Sequence, residues 1–313
     1  MVVEETTIRS VEDAVNVSAP TEDRNPASVH IDRLPTLEVL QLLNAEDSTV
    51  PTAVSAVLPE LARLVDAAVV RIRAGGGVHY FGAGTSGRLA VLDAAELMPT
   101  FNSPVGLFTA HHAGGAEALL SAVENVEDDE EAGRREAQIL RSGDVVIGLT
   151  ASGRTPYVRG ALTVGRERGA LTALVTAHSE SEIGALADFV IAPTTGPEVV
   201  TGSTRLKAGT AQKLILNGFS TSVMIALGRT WSNLMVDVVA TNAKLRGRVV
   251  RILREATGVD EESAQKALAE AGNELKPALL HLLTDIPAAE ARALLDAHGG
   301  SVAAALGAIP PTR

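Results

Sequence analysis

Val78-His79-Tyr80-Phe81-Gly82-Ala83-Gly84-Thr85-Ser86-Gly87 is an apolar run that ends in a glycine-rich, hydroxyl-bearing loop. The run reads as a β-strand, and the residues that follow read as a helix. The pattern recurs further along. Val145 to Leu149 reads as a strand, then Thr150-Ala151-Ser152-Gly153-Arg154-Thr155 precedes another helical segment. Glycine lets the backbone come close to an anion, and a helix N-terminus presents free N–H donors to it. The hydroxyls of Thr85, Ser86, Ser152 and Thr155 add neutral donors. Two such loops on adjacent strands would form one pocket for a phosphorylated small molecule.

Outward from these loops, short apolar runs alternate with helical segments. The expected strands are 78–83, 105–109, 144–149, 171–176 and 188–192. The expected helices between them are 87–97, 115–122, 129–141, 155–168 and 181–186. Such alternation predicts a three-layer αβα sandwich around a mostly parallel sheet, with ligands at the carboxyl ends of the strands. Residues 1–33 read as a polar, irregular arm, and 34–256 as the sandwich with its flanking helices. Residues 257–313 read as a separate small helical bundle built on a weak internal repeat. Val259 and Ile286 lie 27 residues apart, and the same offset relates Ala264 to Ala291, Leu268 to Leu295, Gly272 to Gly299 and Leu279 to Leu306. Chance in an Ala/Leu-rich stretch would give a similar pattern.

Composition narrows the function. The chain has 313 residues, 46% of them hydrophobic, so a sizeable core is available. A formal net charge of −11 argues against nucleic acid or an anionic membrane as the main partner. Aromatics at 3%, with Trp231 the single tryptophan, argue against a stacking groove for single strands. There is no cysteine, hence no disulfide framework and no thiol chemistry. No basic-then-apolar leader opens the sequence, and no apolar stretch approaches the roughly 18 residues of a membrane span.

The individual motifs carry different weight. Gly82-Ala83-Gly84-Thr85-Ser86-Gly87 formally matches the dinucleotide fingerprint, yet Thr100 to Val105, where a ribose-binding carboxylate belongs, has none. The nucleophile-elbow pattern is not met around Ser86 or Ser152. Glu96 lies among apolar neighbours near the end of its helix. If buried, it would have a raised pKa suited to a general acid; the other reading is a solvated helix-end carboxylate. Glu127 stands in an acidic run that suits a helix start, and composition does not single it out as a base. His111 and His112 are adjacent and point to opposite faces of a strand, so no metal site is expected. Arg205, Lys207 and Lys213 open a long helix; they either face a ligand phosphate or are surface charges.

Four stretches together resemble the N-acetylmuramic acid 6-phosphate etherase family: Thr21 to Ser28 (TEDRNPAS), Phe81 to Phe101 (FGAGTSGRLAVLDAAELMPTF), Leu149 to Tyr157 (LTASGRTPY) and Gly196 to Asn217 (GPEVVTGSTRLKAGTAQKLILN). The resemblance extends over residues 15–256, with a UBA-like helical tail of the expected type. It implies a SIS-type (sugar isomerase) fold and cleavage of a D-lactyl ether to N-acetylglucosamine 6-phosphate and D-lactate. It also implies a cytoplasmic homodimer with no metal and no organic cofactor. By position, Glu96 matches the family's proton donor and Glu127 its second catalytic glutamate. Gly84, Thr85, Ser86, Gly87, Ser152, Gly153, Arg154 and Thr155 match its phosphate loops. Glu198, Ser203 and Lys207 in the fourth stretch are further expected substrate contacts. Leu97-Met98 departs from the smaller or proline-rich residues of many relatives. A non-catalytic sugar-phosphate regulator, like the glucokinase regulatory protein of the same fold, and a sugar-phosphate isomerase remain as alternatives.

Overall fold

The computed structural model describes residues 19–121, 123–238 and 243–309. The chain from residue 19 forms three short 3-10 turns, then α1 (Thr36–Asp47), α2 (Val50–Ser55) and α3 (Leu58–Arg73). β1 (Val78–Gly82), α4 (Gly84–Phe101), β2 (Phe108–His112), α5 (Gly115–Leu120) and α6 (Glu130–Glu136) follow. Next come β3 (Val145–Leu149), α7 (Pro156–Glu167), β4 (Leu171–Val175), β5 (Phe189–Ile191) and α8 (Lys207–Ala226). A small hairpin, β6 (Thr230–Trp231) and β7 (Leu234–Met235), leads to α9 (Ala243–Thr257), α10 (Glu261–Glu270), α11 (Leu275–Thr284), α12 (Ala288–Ala297) and α13 (Val302–Gly307).

The five-stranded sheet has the order β2-β1-β3-β4-β5, and every pairing in it is parallel. β1 and β3 are buried along their whole length, as central strands covered by helices on both faces must be. In register, Gly82 lies opposite Leu149. The two hydroxyl loops therefore leave the sheet side by side at one height. Two apolar cores flank the sheet. One joins α3, α4 and α8 through Leu64, Leu97, Ile215 and Phe219. The other joins the opposite face to α7 through Phe81, Val146, Tyr157 and Leu162.

Three local differences from the sequence reading have physical causes. The strand expected at 105–109 lies at Phe108–His112, because Val105 is 97% exposed and Gly106 turns the chain at φ +83°. The helix expected from 87 begins at Gly84, so the first loop is itself the first turn of α4. The segment expected as a helix at 181–186 is a 3-10 turn.

The tail has its own core of Leu253, Ala264, Leu268, Leu279, Ala291 and Leu295. The repeat is realised as two helix–turn–helix units, with Gly272 (φ +68°) and Gly299 (φ +62°) in equivalent left-handed turns. Val249, Ile252 and Leu253 of α9 pack into this core, so that helix falls with the tail rather than within 34–256. The arm expected at 1–33 is described from Ala19; it buries Thr21, Asn25 and Ser28 against the body.

Two elements fix the segment that carries Glu127. The Tyr157 amide donates to the Glu127 carbonyl at 3.0 Å, linking the segment to the first turn of α7. α6 then packs on α7 so closely that a Cβ on Gly133 would stand 2.0 Å from the Tyr157 carbonyl oxygen. Gly133→Ala is expected to cost about 1–3 kcal/mol of stability by overpacking, read as a lower urea midpoint with an unchanged slope. An unchanged midpoint would mean that α6 does not depend on this approach.

Candidate functional site

A cavity of about 300 Å³ opens at the carboxyl ends of β1 and β3. Ala83, Gly84, Thr85 and Ser86 line it from the first loop, and Thr150, Ala151, Ser152 and Thr155 from the second. Glu127 enters from the α6 side, and Gly202 and Thr204 from the loop before α8. Leu149 at the end of β3 and Glu22 of the arm complete the described lining. The volume suits a ligand of sugar-phosphate size.

The loops are built to present donors. Gly84 adopts φ +53° and Gly153 φ +72°, conformations that glycine tolerates. Gly82 and Gly87 let the strand and helix touch: a Cβ on Gly87 would lie 2.5 Å from the Gly82 carbonyl oxygen and 2.6 Å from His112. The opening amides of α4 thus sit at the strand end with no helical carbonyl to accept them. In the second loop the Thr150 hydroxyl lies 2.8 Å from that of Thr155 and accepts from the Gly153 amide at 3.2 Å. Ser152 Oγ lies 3.3 Å from Thr150 Oγ1 and accepts from the Arg154 amide at 3.3 Å. Ser86 is buried, and its hydroxyl donates to Gln212 Oε1 at 2.9 Å. The Gln212 amide nitrogen is buried without a hydrogen-bond partner. Turning that amide over would make it the donor to Ser86 and release the serine proton toward the cavity.

No lysine or arginine is among the described residues lining the cavity. The donors that the described lining offers to an anion are amides, hydroxyls and the dipole of α4. The acceptor character comes from the carboxylates of Glu22 and Glu127. Two charges about 4 Å apart near a protein surface interact by about 4 kcal/mol. This charge pattern would favour a phosphoryl group at the loop end and the uncharged part of a ligand near the carboxylates.

Several expected contacts lie elsewhere. Glu96 is exposed on the outer face of α4, away from the cavity lining. The carboxylate on α4 whose pKa is raised by burial is Asp93. It accepts from Tyr80 Oη (3.0 Å), Asn217 Nδ2 (2.8 Å) and Ser220 Oγ (3.0 Å), joining β1, α4 and α8. Glu198 is fully buried and caps α8 by accepting the Lys207 and Ala208 amides, each at 2.9 Å. Burial raises its pKa, against the pull of those two amides. The Lys207 ammonium is buried and donates to Glu46 at 2.7 Å, and that bond lowers the Glu46 pKa. Ser203 and Arg154 are half-buried beside the cavity but outside its lining. Gly87 and Gly153 serve the loops by their backbone shape. Glu22, Thr204 and Gln212 join the site without a sequence pattern that marks them individually. Glu22 stands in the quoted TEDRNPAS stretch and Gln212 in the GPEVVTGSTRLKAGTAQK stretch, which are the signals that point to them.

No histidine is among the described residues lining the cavity, although His112 Nε2 lies 3.3 Å from the Gly84 carbonyl. His79 Nδ1 lies 3.1 Å from His111 Nε2, and His79 Nε2 lies 3.8 Å from Asp144. The His111 ring stacks on Phe81 at 4.2 Å. Among the described residues no group of His and carboxylate side chains is arranged to hold a metal, and no helix is long and apolar enough to cross a membrane.

Comparison with known proteins bears on the family and the fold. Residues 60–166 match the glucokinase regulatory protein N-terminal SIS domain, and residues 116–220 match the SIS domain. A Thermobifida fusca protein described as N-acetylmuramic acid 6-phosphate etherase is 60% identical over 268 residues, covering 86% of this chain and 88% of its own length. One of the same description from Pectobacterium atrosepticum is 52% identical over 288 residues, covering 91% and 95%. A phosphoheptose isomerase structure from Neisseria gonorrhoeae is similar over 60% of this chain and 99% of its own, at 18% identity and TM-score 0.48.

Burial lowers the pKa of both histidines, that of His111 to about 4 with a contribution from His79. A histidine in the unfolded chain titrates near 6.5, so below that pH the unfolded state binds a proton that folded His111 refuses. Stability should fall as pH drops from about 6.5 to about 4, by about 1.4 kcal/mol per pH unit for one proton. His111→Phe keeps the stack on Phe81 and should flatten that slope in urea titrations across this range. An unchanged slope would assign the acid sensitivity to other groups.

Proposed function

The chain belongs to the N-acetylmuramic acid 6-phosphate etherase family, and on that premise we propose that the cavity between its two hydroxyl loops is the site of its reaction. The protein cleaves the D-lactyl ether of N-acetylmuramic acid 6-phosphate with water, giving N-acetylglucosamine 6-phosphate and D-lactate, a step of cell-wall amino-sugar recycling. The observation that carries the site is the convergence of Thr85, Ser86, Ser152 and Thr155 with Glu127 on one cavity.

An alkyl ether resists direct hydrolysis because lactate alkoxide is a poor leaving group. In the open-chain sugar the C1 aldehyde acidifies the C2 proton. A base removes that proton, the electron pair forms the C2–C3 double bond, and the C3–O bond breaks. An acid protonates the departing lactyl oxygen. Water then adds at C3 and a proton returns to C2. The phosphoryl group rests on the loops, which hold C2 and C3 against the catalytic groups. Glu127 handles the C2 proton, since it is the expected catalytic carboxylate that lines the cavity.

Glu96 supplies the acid from a second copy of the chain. Three features support this reading: Glu96 lies off its own cavity, it is exposed, and it shares α4 with the exposed Leu92 and Met98. Exposed Leu37 and Leu40 on α1 add a further apolar surface of the kind that a partner covers. The working form is a homodimer in the cytoplasm.

Release of D-lactate from N-acetylmuramic acid 6-phosphate, followed enzymatically, separates this reading from a regulator or an aldose–ketose isomerase, neither of which would produce any. Ser86→Ala should mainly raise KM; a pure loss of kcat would remove Ser86 from phosphate binding. Glu96→Gln and Glu127→Gln should each lower turnover by about 100-fold or more. Mixing the two inactive variants with subunit exchange should restore up to about a quarter of wild-type activity, because a mixed two-fold dimer rebuilds one of its two sites. No recovery after confirmed exchange would place both carboxylates on one chain.

A further inference from the structure

We propose that Glu22, on the N-terminal arm, is a positioning residue of this site, accepting a hydrogen bond from an O–H or N–H of the sugar and so distinguishing sugar phosphates from other phosphorylated anions. The inference rests on the assignment of the cavity as the substrate site and adds a group that the expected catalytic pair leaves out.

The arm is held where it lies by specific bonds. The Gly202 amide donates to the Thr21 carbonyl at 3.0 Å, and the Glu22 amide donates to the Ala19 carbonyl at 2.9 Å. Asn25 donates to Glu46 at 2.8 Å, the carboxylate that also takes the buried Lys207 ammonium. Three residues before that anchor, the Glu22 carboxylate faces the cavity shared by both loops and Glu127. It packs on Gly202, where a Cβ would lie 2.8 Å from Glu22 Oε2. Gly202 has φ +74°, so both its backbone and its missing side chain suit the carboxylate's position.

An ionised carboxylate is acceptor-only. The other described residues lining this cavity offer amides, hydroxyls and a second carboxylate, with no cation to pair with Glu22. It repels the phosphoryl group toward the loops. What complements it is the donor-rich part of the ligand, the hydroxyls and the acylamino N–H. A bond from a charged acceptor to such a donor is short and strong, and it fixes the sugar's rotation about the phosphate anchor.

Binding to purified Glu22→Gln and Glu22→Ala tests this without relying on turnover. N-acetylglucosamine 6-phosphate is titrated by calorimetry, and inorganic phosphate is scored by its shift of the thermal midpoint. For Glu22→Ala the sugar phosphate should bind about tenfold or more weakly, with Glu22→Gln between it and wild type. The phosphate-induced shift should stay the same or grow, which also shows that the loops remain folded. Equal loss of both ligands would overturn the proposal and make Glu22 a prop for the loops. Unchanged sugar-phosphate affinity would overturn it too, whatever happens to kcat. If wild type binds the sugar phosphate but releases no lactate, the etherase assignment of the site fails while the Glu22 comparison still reads.

Discussion

The pairing of β1 with β3 is the constraint from which the site follows. These strands are separated in sequence by α4, β2, α5 and α6, yet they lie side by side in parallel, with Gly82 opposite Leu149. Parallel pairing sends both chains out of the sheet in the same direction. The matched register brings both loops out at one level. A one-residue slip would turn every inward side chain of a strand to the other face, and burial of β1 and β3 on both sides forbids it. The cradle for an anion is therefore set by backbone hydrogen bonds and core burial, before any side chain of the loops is considered.

Charge then sets the orientation of the ligand. A chain with net charge −11 does not attract phosphate from a distance, and its cavity lining lacks lysine and arginine among the described residues. In the proposed site, recognition would depend on oriented dipoles: the opening amides of α4 and the hydroxyl chain of Thr150, Ser152 and Thr155. Such donors act at contact range and leave the far end of the cavity free to hold carboxylates. Had the phosphate been bound by lysines, those lysines would also have neutralised Glu127, whose proposed role requires it to accept a proton. Neutral cradling keeps the two tasks separate.

How much of this could be read from the sequence differs by residue, for physical reasons. The two loops are legible because a strand, a glycine turn and a helix start are all local signals, and the parallel sheet follows from their alternation. β2 lies later than the sequence pattern suggests, because Val105 looks like a strand residue whereas Pro104 and Gly106 make that stretch a turn. The setting of Glu96 could not be judged from its neighbours, since Leu92 and Met98 are themselves exposed and apolar neighbours on α4 do not mean a core. Glu198 and Lys207 stand beside a glycine-rich loop and look like ligand contacts; the buried start of α8 takes one as a cap and ties the other to α1. Glu22 stands in the quoted TEDRNPAS stretch, yet its neighbours there do not place it at the site. Its contact with Gly202 is made across most of the chain, and periodicity carries no information about that.

The buried ion pair explains why the arm and the site are one unit. Lys207 is the first residue of α8, and its amide is already taken by Glu198. Its ammonium, out of water, must find an anion or lose its charge. Glu46 at the end of α1 provides one, and its remaining acceptor capacity takes Asn25. A single carboxylate thus fastens α1, the arm and the start of α8. Removing Glu46 would leave the buried Lys207 ammonium without its anion, a cost of several kcal/mol. The loop from Gly202 to Thr204 runs into that same helix start, and the arm lies across it through the Thr21–Gly202 bond. The course of the arm, the shape of the third cavity wall and the position of Glu22 are consequently tied to the Lys207–Glu46 pair outside the cavity.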